Sequence, residues 1–279
     1  MTRAAAHDGP EPGAPNTGRD RLVVATATVV GLASLAFALA VNASITVPTG
    51  ARVPPRPWSV SAPRVVADLP VAICPTAYGA PGVRAKREPH TAAAIVTGPL
   101  ARSTTVFIDG AGTLAVVAPT AWRCTALDAV DASSTLVVAP PGDPRPTFGT
   151  VNAVHRGIVA SQTGGCIGCG LETACPLFAI AGHLYLVGYG LACPSASKAG
   201  ERRQVLSPTI VRFIDPPGVA GVGAPSGGSL FAYGAMAWHP PSRAKDLPPT
   251  TWLETCTLPS SFHDLCVVSS DAFVERYRG

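Results

Sequence analysis

The chain has 279 residues, 47% of them hydrophobic and only 14% charged, with a formal net charge of +4. An ordinary globular domain carries about 25% charged residues. Lysine occurs only at Lys86, Lys198 and Lys245. No basic cluster is interleaved with aromatics as a nucleic-acid surface would require, so no nucleic-acid partner is expected. The densest cationic stretch, Arg84-Ala85-Lys86-Arg87, reads as a solvated loop, and the Ala-rich, Arg-over-Lys composition fits a GC-rich genome.

In chain order, residues 1–21 carry Pro10, Pro12 and Pro15 among small polar residues and read as a disordered cytoplasmic tail. A transmembrane anchor or signal sequence follows at 22–46. Its core, LVVATATVVGLASLAFALAV at 22–41, has no charge and no proline. Twenty such residues at 1.5 Å rise match the ~30 Å hydrocarbon core, which makes the lipid bilayer a partner through 22–46. Ala38-Leu39-Ala40 and Val41-Asn42-Ala43 offer signal-peptidase spacing, but the apolar run exceeds the ~7–15 residues of a signal h-region. An uncleaved anchor is the expectation, and cleavage would make the protein secreted. Basic residues balance across the span, with Arg3, Arg19 and Arg21 before it and Arg52, Arg56 and Arg64 after it. They set no orientation.

Cysteine placement does set one. All eight cysteines lie beyond the span, and an even count in an exported segment reads as a disulfide framework. The body is therefore expected on the extracytoplasmic side of a single-pass cell-membrane protein. Residues 47–64, with Pro48, Pro54, Pro55, Pro57 and Pro63, read as a Pro-rich spacer. The disulfide-stapled, β-rich domain then occupies 65–279.

That domain is expected to be mainly β: antiparallel, with many short strands and a C-terminal amphipathic helix. TTVFI (104–108) and TLAVVA (113–118) form a hairpin across Asp109-Gly110-Ala111-Gly112. TLVVA (135–139), TIVRFI (209–214) and SLFAYGAMAW (229–238) each stop at Pro, Gly or Asp clusters and read as strands. LFAIAGHLYLVGYGLA (177–192) reads as a buried hairpin turning at Gly182-His183. TAWRCTALDAV (120–130) is a weaker helix candidate. SSFHDLCVVSSDAFVERYR reads as the closing helix, with Ser260 or Ser261 at its cap and Phe262, Leu265, Cys266, Phe273, Val274 and Tyr277 on one face.

GGCIGCGLETACP (164–176) packs three cysteines into thirteen residues. Zinc ribbons use two C-x-x-C knuckles and only one is present, so no metal site is expected. A redox pair at Cys166 and Cys169 is the sharper catalytic candidate. Against it, glycines surround the pair where a thiol-activating helix would be needed. Disulfide pairing accounts for the set better. Cys256–Cys266 would tie the last strand to the closing helix, and Cys175–Cys193 would clasp the 177–192 hairpin. Cys74–Cys124 and Cys166–Cys169 then remain by elimination.

Other chemistry finds little support, and no cofactor is expected. There is no G-x-S-x-G elbow, H-E-x-x-H or P-loop. Ser195-Ala196-Ser197-Lys198 satisfies S-x-x-K without its companion motifs. GVAGVGAPSGG (218–228) offers an anion-binding nest at Gly221, Gly223, Ser226, Gly227 and Gly228, able to hold a carboxylate or phosphate of an envelope component. A structural turn is the competing reading of the same glycines.

Four blocks carry a resemblance. They are Ala121-Trp122-Arg123-Cys124 with Val137-Val138-Ala139-Pro140-Pro141-Gly142; Cys175-Pro176-Leu177-Phe178; Asp215-Pro216-Pro217-Gly218-Val219 with the following glycines; and Cys256-Thr257-Leu258-Pro259 with Cys266, Phe273 and Tyr277. Together they resemble a group of uncharacterised exported or membrane-anchored proteins of GC-rich, actinobacterial-type bacteria, over most of residues 115–279. That group shows a glycine where this chain has Ala121. The resemblance implies an exported location and, since the group has no assigned activity, no chemistry.

The expected function is a membrane-anchored extracytoplasmic cell-envelope protein acting as a non-catalytic binding or interaction module. A thiol-disulfide oxidoreductase using the CIGC pair is one alternative. A disulfide-rich surface glycoprotein of an enveloped virus is the other, although Asn42-Ala43-Ser44, the lone sequon, falls at the membrane edge.

Overall fold

The computed structural model describes residues 56–76, 91–129, 133–142, 156–164, 168–193, 200–224, 227–240 and 249–278. The expected anchor or signal stretch 22–46 and the expected tail 1–21 lie outside them. Among the described residues no helix is long and apolar enough to cross a membrane.

Two sheets organise the domain. The smaller has the order β2-β1-β3-β4, from β1 (Arg64–Ile73), β2 (Thr91–Thr97), β3 (Thr104–Ile108) and β4 (Ala115–Pro119). A single helical turn, α1 (Gly98–Ala101), links β2 to β3. The β1–β2 and β3–β4 pairings are antiparallel, and the short β1–β3 contact is parallel. The larger sheet is antiparallel throughout, in the order β5-β6-β7-β11-β10-β9-β8. Its strands are β5 (Arg123–Asp128), β6 (Ser134–Ala139), β7 (Gly157–Thr163), β8 (Arg202–Ser207), β9 (Ile210–Asp215), β10 (Phe231–His239) and β11 (Thr250–Leu258).

The mainly antiparallel β architecture and the closing helix are thus as the sequence indicates. The 104–118 hairpin and the strands near 135, 209 and 229 appear in place. The described residues of the 120–130 helix candidate, 120–129, do not form a helix. Their Arg123–Asp128 segment is β5, because Thr125, Ala126 and Leu127 are buried on pairing with β6.

Three further helices cover the large sheet: α2 (Cys169–Ala174), α3 (Ala179–Tyr189) and α4 (His263–Tyr277), the last preceded by a 3-10 turn at Ser260–Phe262. Strand alternation decides which helix each strand residue meets. Ile210, Ala235 and Ala237 meet Phe273 and Val274 of α4 on one face. Val211, Met236 and Trp238 meet Leu171, Phe178, Ala181 and Tyr185 of the α2–α3 pair on the other. The small sheet packs on the α4 side, where Phe107, Val116 and Ala118 join Leu136, Ile158, Cys256 and Leu265.

Residues 177–192 correct the expected hairpin, since this stretch is largely the helix α3. Gly182 is a point of close approach here, not a turn. A Cβ on it would stand 3.0 Å from Cys193 Sγ, so glycine lets the Cys175–Cys193 bond cross the helix. The helix ends at Gly190, which adopts the left-handed φ of 66° that glycine accepts without strain.

The described part of the Pro-rich stretch, 56–64, is not a free spacer. Trp58 stacks edge-on against Tyr233 at 5.8 Å, and Pro57 O contacts His263 Nε2 at 3.0 Å. Ser61 N donates to Asp264 Oδ2 at 3.0 Å, and Arg64 Nε donates to Asp271 Oδ2 at 2.7 Å. These contacts fasten the domain entry onto α4.

Gly234 illustrates how tightly the sheet is fitted. It pairs with Phe213, and a Cβ there would lie 2.2 Å from Phe213 Cζ and 2.8 Å from Glu254 O. Gly234→Ala is therefore expected to destabilise the fold by about 2 kcal/mol through overpacking. Gly188→Ala, in open space on α3, is expected to stabilise by about 0.5–1 kcal/mol through helix propensity. Urea unfolding of the two variants beside the parent chain checks both signs.

Candidate functional site

Three groups of residues could carry function: the cysteines, the carboxylates enclosed on the two faces of the large sheet, and the exposed side of α3.

The structure pairs Cys74 with Cys124 (S–S 2.03 Å), Cys175 with Cys193 and Cys256 with Cys266 (2.07 Å). Cys256–Cys266 joins β11 to α4, and both residues are buried. Cys175–Cys193 brackets α3 instead of a hairpin. Cys169 is also disulfide-bonded, while Cys166 lies outside the described residues. No described cysteine is free. Cys169 is the first residue of α2, directly after Gly168 at φ 100°, so a short helix does start in the glycine-rich motif.

The glycine loop after β9 is built around an anion, and the chain itself supplies that anion. Gly223 N and Ala224 N donate to Asp215 Oδ2 at 2.7 and 2.9 Å, and Val222 N donates to Glu201 Oε2 at 2.9 Å. Asp215 has no exposed surface, and neither does the Glu201 side chain. A Cβ on Gly221 would stand 1.9 Å from Asp215 Oδ1 and 2.6 Å from Glu201 Oε2, so only glycine lets the loop close over the pair. Gly221 N and Gly227 N donate to Ala224 O, and Gly218 N donates to Gly228 O. Ser226 lies outside the described residues. The expected nest is therefore a turn wrapped on internal carboxylates, with the amides of Gly221, Gly223 and Gly227 engaged.

Burial pushes the Asp215 carboxyl up to about 7, helped by the hydrogen bond to Glu201 and by that group's charge, against the two loop amides. Asp215 Oδ1 receives no N–H or O–H donor. When protonated, Asp215 can donate to Glu201, the hydrogen bond that helps raise its pKa. Arg203 Nε donates to the other Glu201 oxygen at 2.5 Å. The arrangement resembles the acid pairs of hydrolases in composition but not in access, because no substrate atom can reach it.

A second polar group lies on the opposite face, under α4. Arg212 and Glu254 flank Ala235 across three neighbouring strands, and the small alanine leaves room between them. Arg212 Nη2 donates to Asp271 Oδ1, and its guanidinium stands 5.1 Å from the Trp58 ring centre. Arg64 holds the second Asp271 oxygen. Glu254 is 2% exposed, and burial pushes its carboxyl up to about 8, with Ser269 and Arg212 drawing it partly back. The cluster binds the entry segment, the sheet and α4 together.

No described trio of His, Cys, Asp or Glu converges as metal ligands. A groove of about 390 Å3 between the small sheet and the end of α4 is walled mainly by Ala and Val. Its two charged residues are committed elsewhere, Glu275 to Arg278 and Arg276 to the Gly112 and Thr113 carbonyls.

The open surface of interest is α3. It carries no Asp, Glu, Lys or Arg, yet of its residues only Ala181 and Tyr185 are buried. Ile180 (58%), Leu186 (53%), Val187 (70%) and, just past the helix, Leu191 (54%) stand in solvent. The hairpin expected from the sequence would have hidden these side chains.

The titrating carboxyls set the pH response of the fold. The folded chain keeps a proton on Asp215 and Glu254 above their ordinary values of 3.8 and 4.5, where the unfolded chain has released it. Both contributions are therefore complete below pH 3.8. They fade as pH rises, Asp215's through about 7 and Glu254's through about 8. Asp215→Asn should remove the lower part of this decline and Glu254→Gln the upper part, each variant gaining on the parent in denaturant midpoint as pH rises from 5 to 8.5. Comparison with protein families, curated proteins and solved structures returns no match to the chain.

Proposed function

We propose that the chain is a membrane-anchored extracytoplasmic protein of the cell envelope, working as a non-catalytic binding or interaction module. One observation carries the reading: every described cysteine is oxidised, within a fold whose strand and helix junctions depend on those bonds. Such bonds persist in oxidising compartments. The 20-residue charge-free run at 22–41 supports anchoring, with the body outside. The four blocks that resemble exported proteins of GC-rich, actinobacterial-type bacteria point to the same compartment. Sealed carboxylates and an open apolar helix suit binding better than turnover.

The thiol-disulfide oxidoreductase reading has one observation in its favour, the position of Cys169 at the start of α2. A helix N-terminus lowers a thiol's pKa and activates it.

Alkylation with a membrane-impermeant maleimide, before and after mild reductant, followed by peptide mass mapping, separates the two. The expected result is no labelling before reduction and labelling of all eight cysteines on intact cells after strong reduction. Selective release of Cys166 and Cys169 by mild dithiol, with loss of insulin-reductase activity on Cys166→Ser, would establish the oxidoreductase instead. Free thiols inert to the impermeant reagent until lysis would place the domain in the cytoplasm and end the envelope reading.

A further inference from the structure

A helix that is apolar on all sides is ordinarily buried on all sides. Helix α3 is covered on one side only, by Val211, Met236 and Trp238 of the large sheet. Six of the eight large hydrophobics that stand exposed among the described residues share this side of the molecule: Ile180, Leu186, Val187, Tyr189, Leu191 and Val205. Val205 belongs with them because it pairs directly with Val211 across β8–β9, and paired residues point to one face of a sheet.

Charge is sparse here. From Thr173 to Ser197 there is no Asp, Glu, Lys or Arg, His183 on α3 being the stretch's one histidine, and Lys198, Glu201, Arg202 and Arg203 follow it. Arg203 reaches the start of α3, donating to Pro176 O at 2.8 Å. At 11 residues and 1.5 Å per residue, α3 is about half the length needed to cross the hydrocarbon core, so it suits lying in an interface. Tyr189, part exposed at its end, has the amphipathic ring favoured at headgroup depth. Disulfide Cys175–Cys193 holds the helix in place, so its insertion would need no refolding.

We infer that the exposed side of α3, continued by Val205, docks onto the lipid bilayer surface. This rests on the anchored reading above. If 22–41 spans the membrane, the fourteen residues from Asn42 to Pro55 reach at most about 50 Å fully extended, which keeps the domain next to the bilayer. A surface held that close at high effective concentration needs only weak affinity of its own.

The test uses the full chain in vesicles of brominated phosphatidylcholine and phosphatidylglycerol. Val187→Trp places a reporter on α3, and Val66→Trp places one on an equally exposed strand of the small sheet. The added fluorescence of Val187→Trp should fall about twofold relative to non-brominated vesicles, and that of Val66→Trp should hold. Adding Ile180→Asp and Leu186→Asp, both at exposed positions, should abolish the quenching with circular dichroism unchanged. Equal, weak quenching at both reporters in a chain that resists alkaline carbonate extraction would overturn the lipid inference and leave the anchor standing. Protection of Val187→Trp from iodide without lipid quenching would likewise overturn it, assigning the surface to a protein contact. If carbonate strips the chain, the anchored reading fails, and quenching of the stripped chain on re-addition to the same vesicles decides the α3 inference alone.

Discussion

The described fold depends on one helix being buried with its charges matched. Helix α4 lies between the two sheets and buries Ser269, Ser270 and Asp271 along with Leu265, Val267, Val268, Phe273 and Val274. An ionised aspartate in such a place is costly unless paired. Arg212 from the large sheet and Arg64 from the first strand each take one of its oxygens, and Trp58 lies over the Arg212 guanidinium. The bond from Cys266 to Cys256 fixes the same helix to β11. Three segments far apart in sequence are therefore oriented by a single carboxylate, and losing it would leave the buried Arg212 guanidinium without its counter-charge.

The opposite face solves a related problem differently. Asp215 and Glu201 have no full counter-ion between them beyond Arg203, so the pair is stabilised by a retained proton and by loop amides. Gly221 is what permits that loop to close, since any side chain there would occupy the space of the carboxyl groups. The glycine run is thus a lid over internal acid. The amides of Gly221, Gly223 and Gly227, which look suited to an external anion, are thus already taken. Together with Glu254, the pair gives the fold a stability that declines as pH rises through about 7 and 8.

Against these interiors, α3 stands out among the described elements for the apolar surface it leaves open. Its disulfide, its close fit at Gly182 and its packing on Trp238 hold it rigidly. Its outer side nevertheless presents aliphatic groups to water. A rigid, largely apolar surface without Asp, Glu, Lys or Arg accords with a module that works at a boundary, and it fits the envelope location proposed from the cysteines and the 22–41 run.

Much of this was legible in the sequence. The Val/Ile/Phe runs bounded by Pro and Gly marked β3, β4, β6, β9 and β10, and the three-to-four spacing after Ser260 marked α4, because these signals are local. The ten-residue spacing of Cys256 and Cys266 across a strand-to-helix junction belonged to the same short-range class. Helix α3 was not legible, since a short apolar run has the same composition whether helical or extended, and Gly182 marked a disulfide crossing where a turn was expected. Nor could the sequence alone show that the glycine loop encloses Asp215 and Glu201, or that Asp271 meets Arg64 and Arg212 from 207 and 59 positions away. The sequence by itself determined the β-rich class, the closing helix and the cysteine content, because each depends on neighbours along the chain. Only the tertiary structure decided which carboxylates are buried, which cations answer them and which apolar face stays open, because those depend on what distant segments bring to the same place.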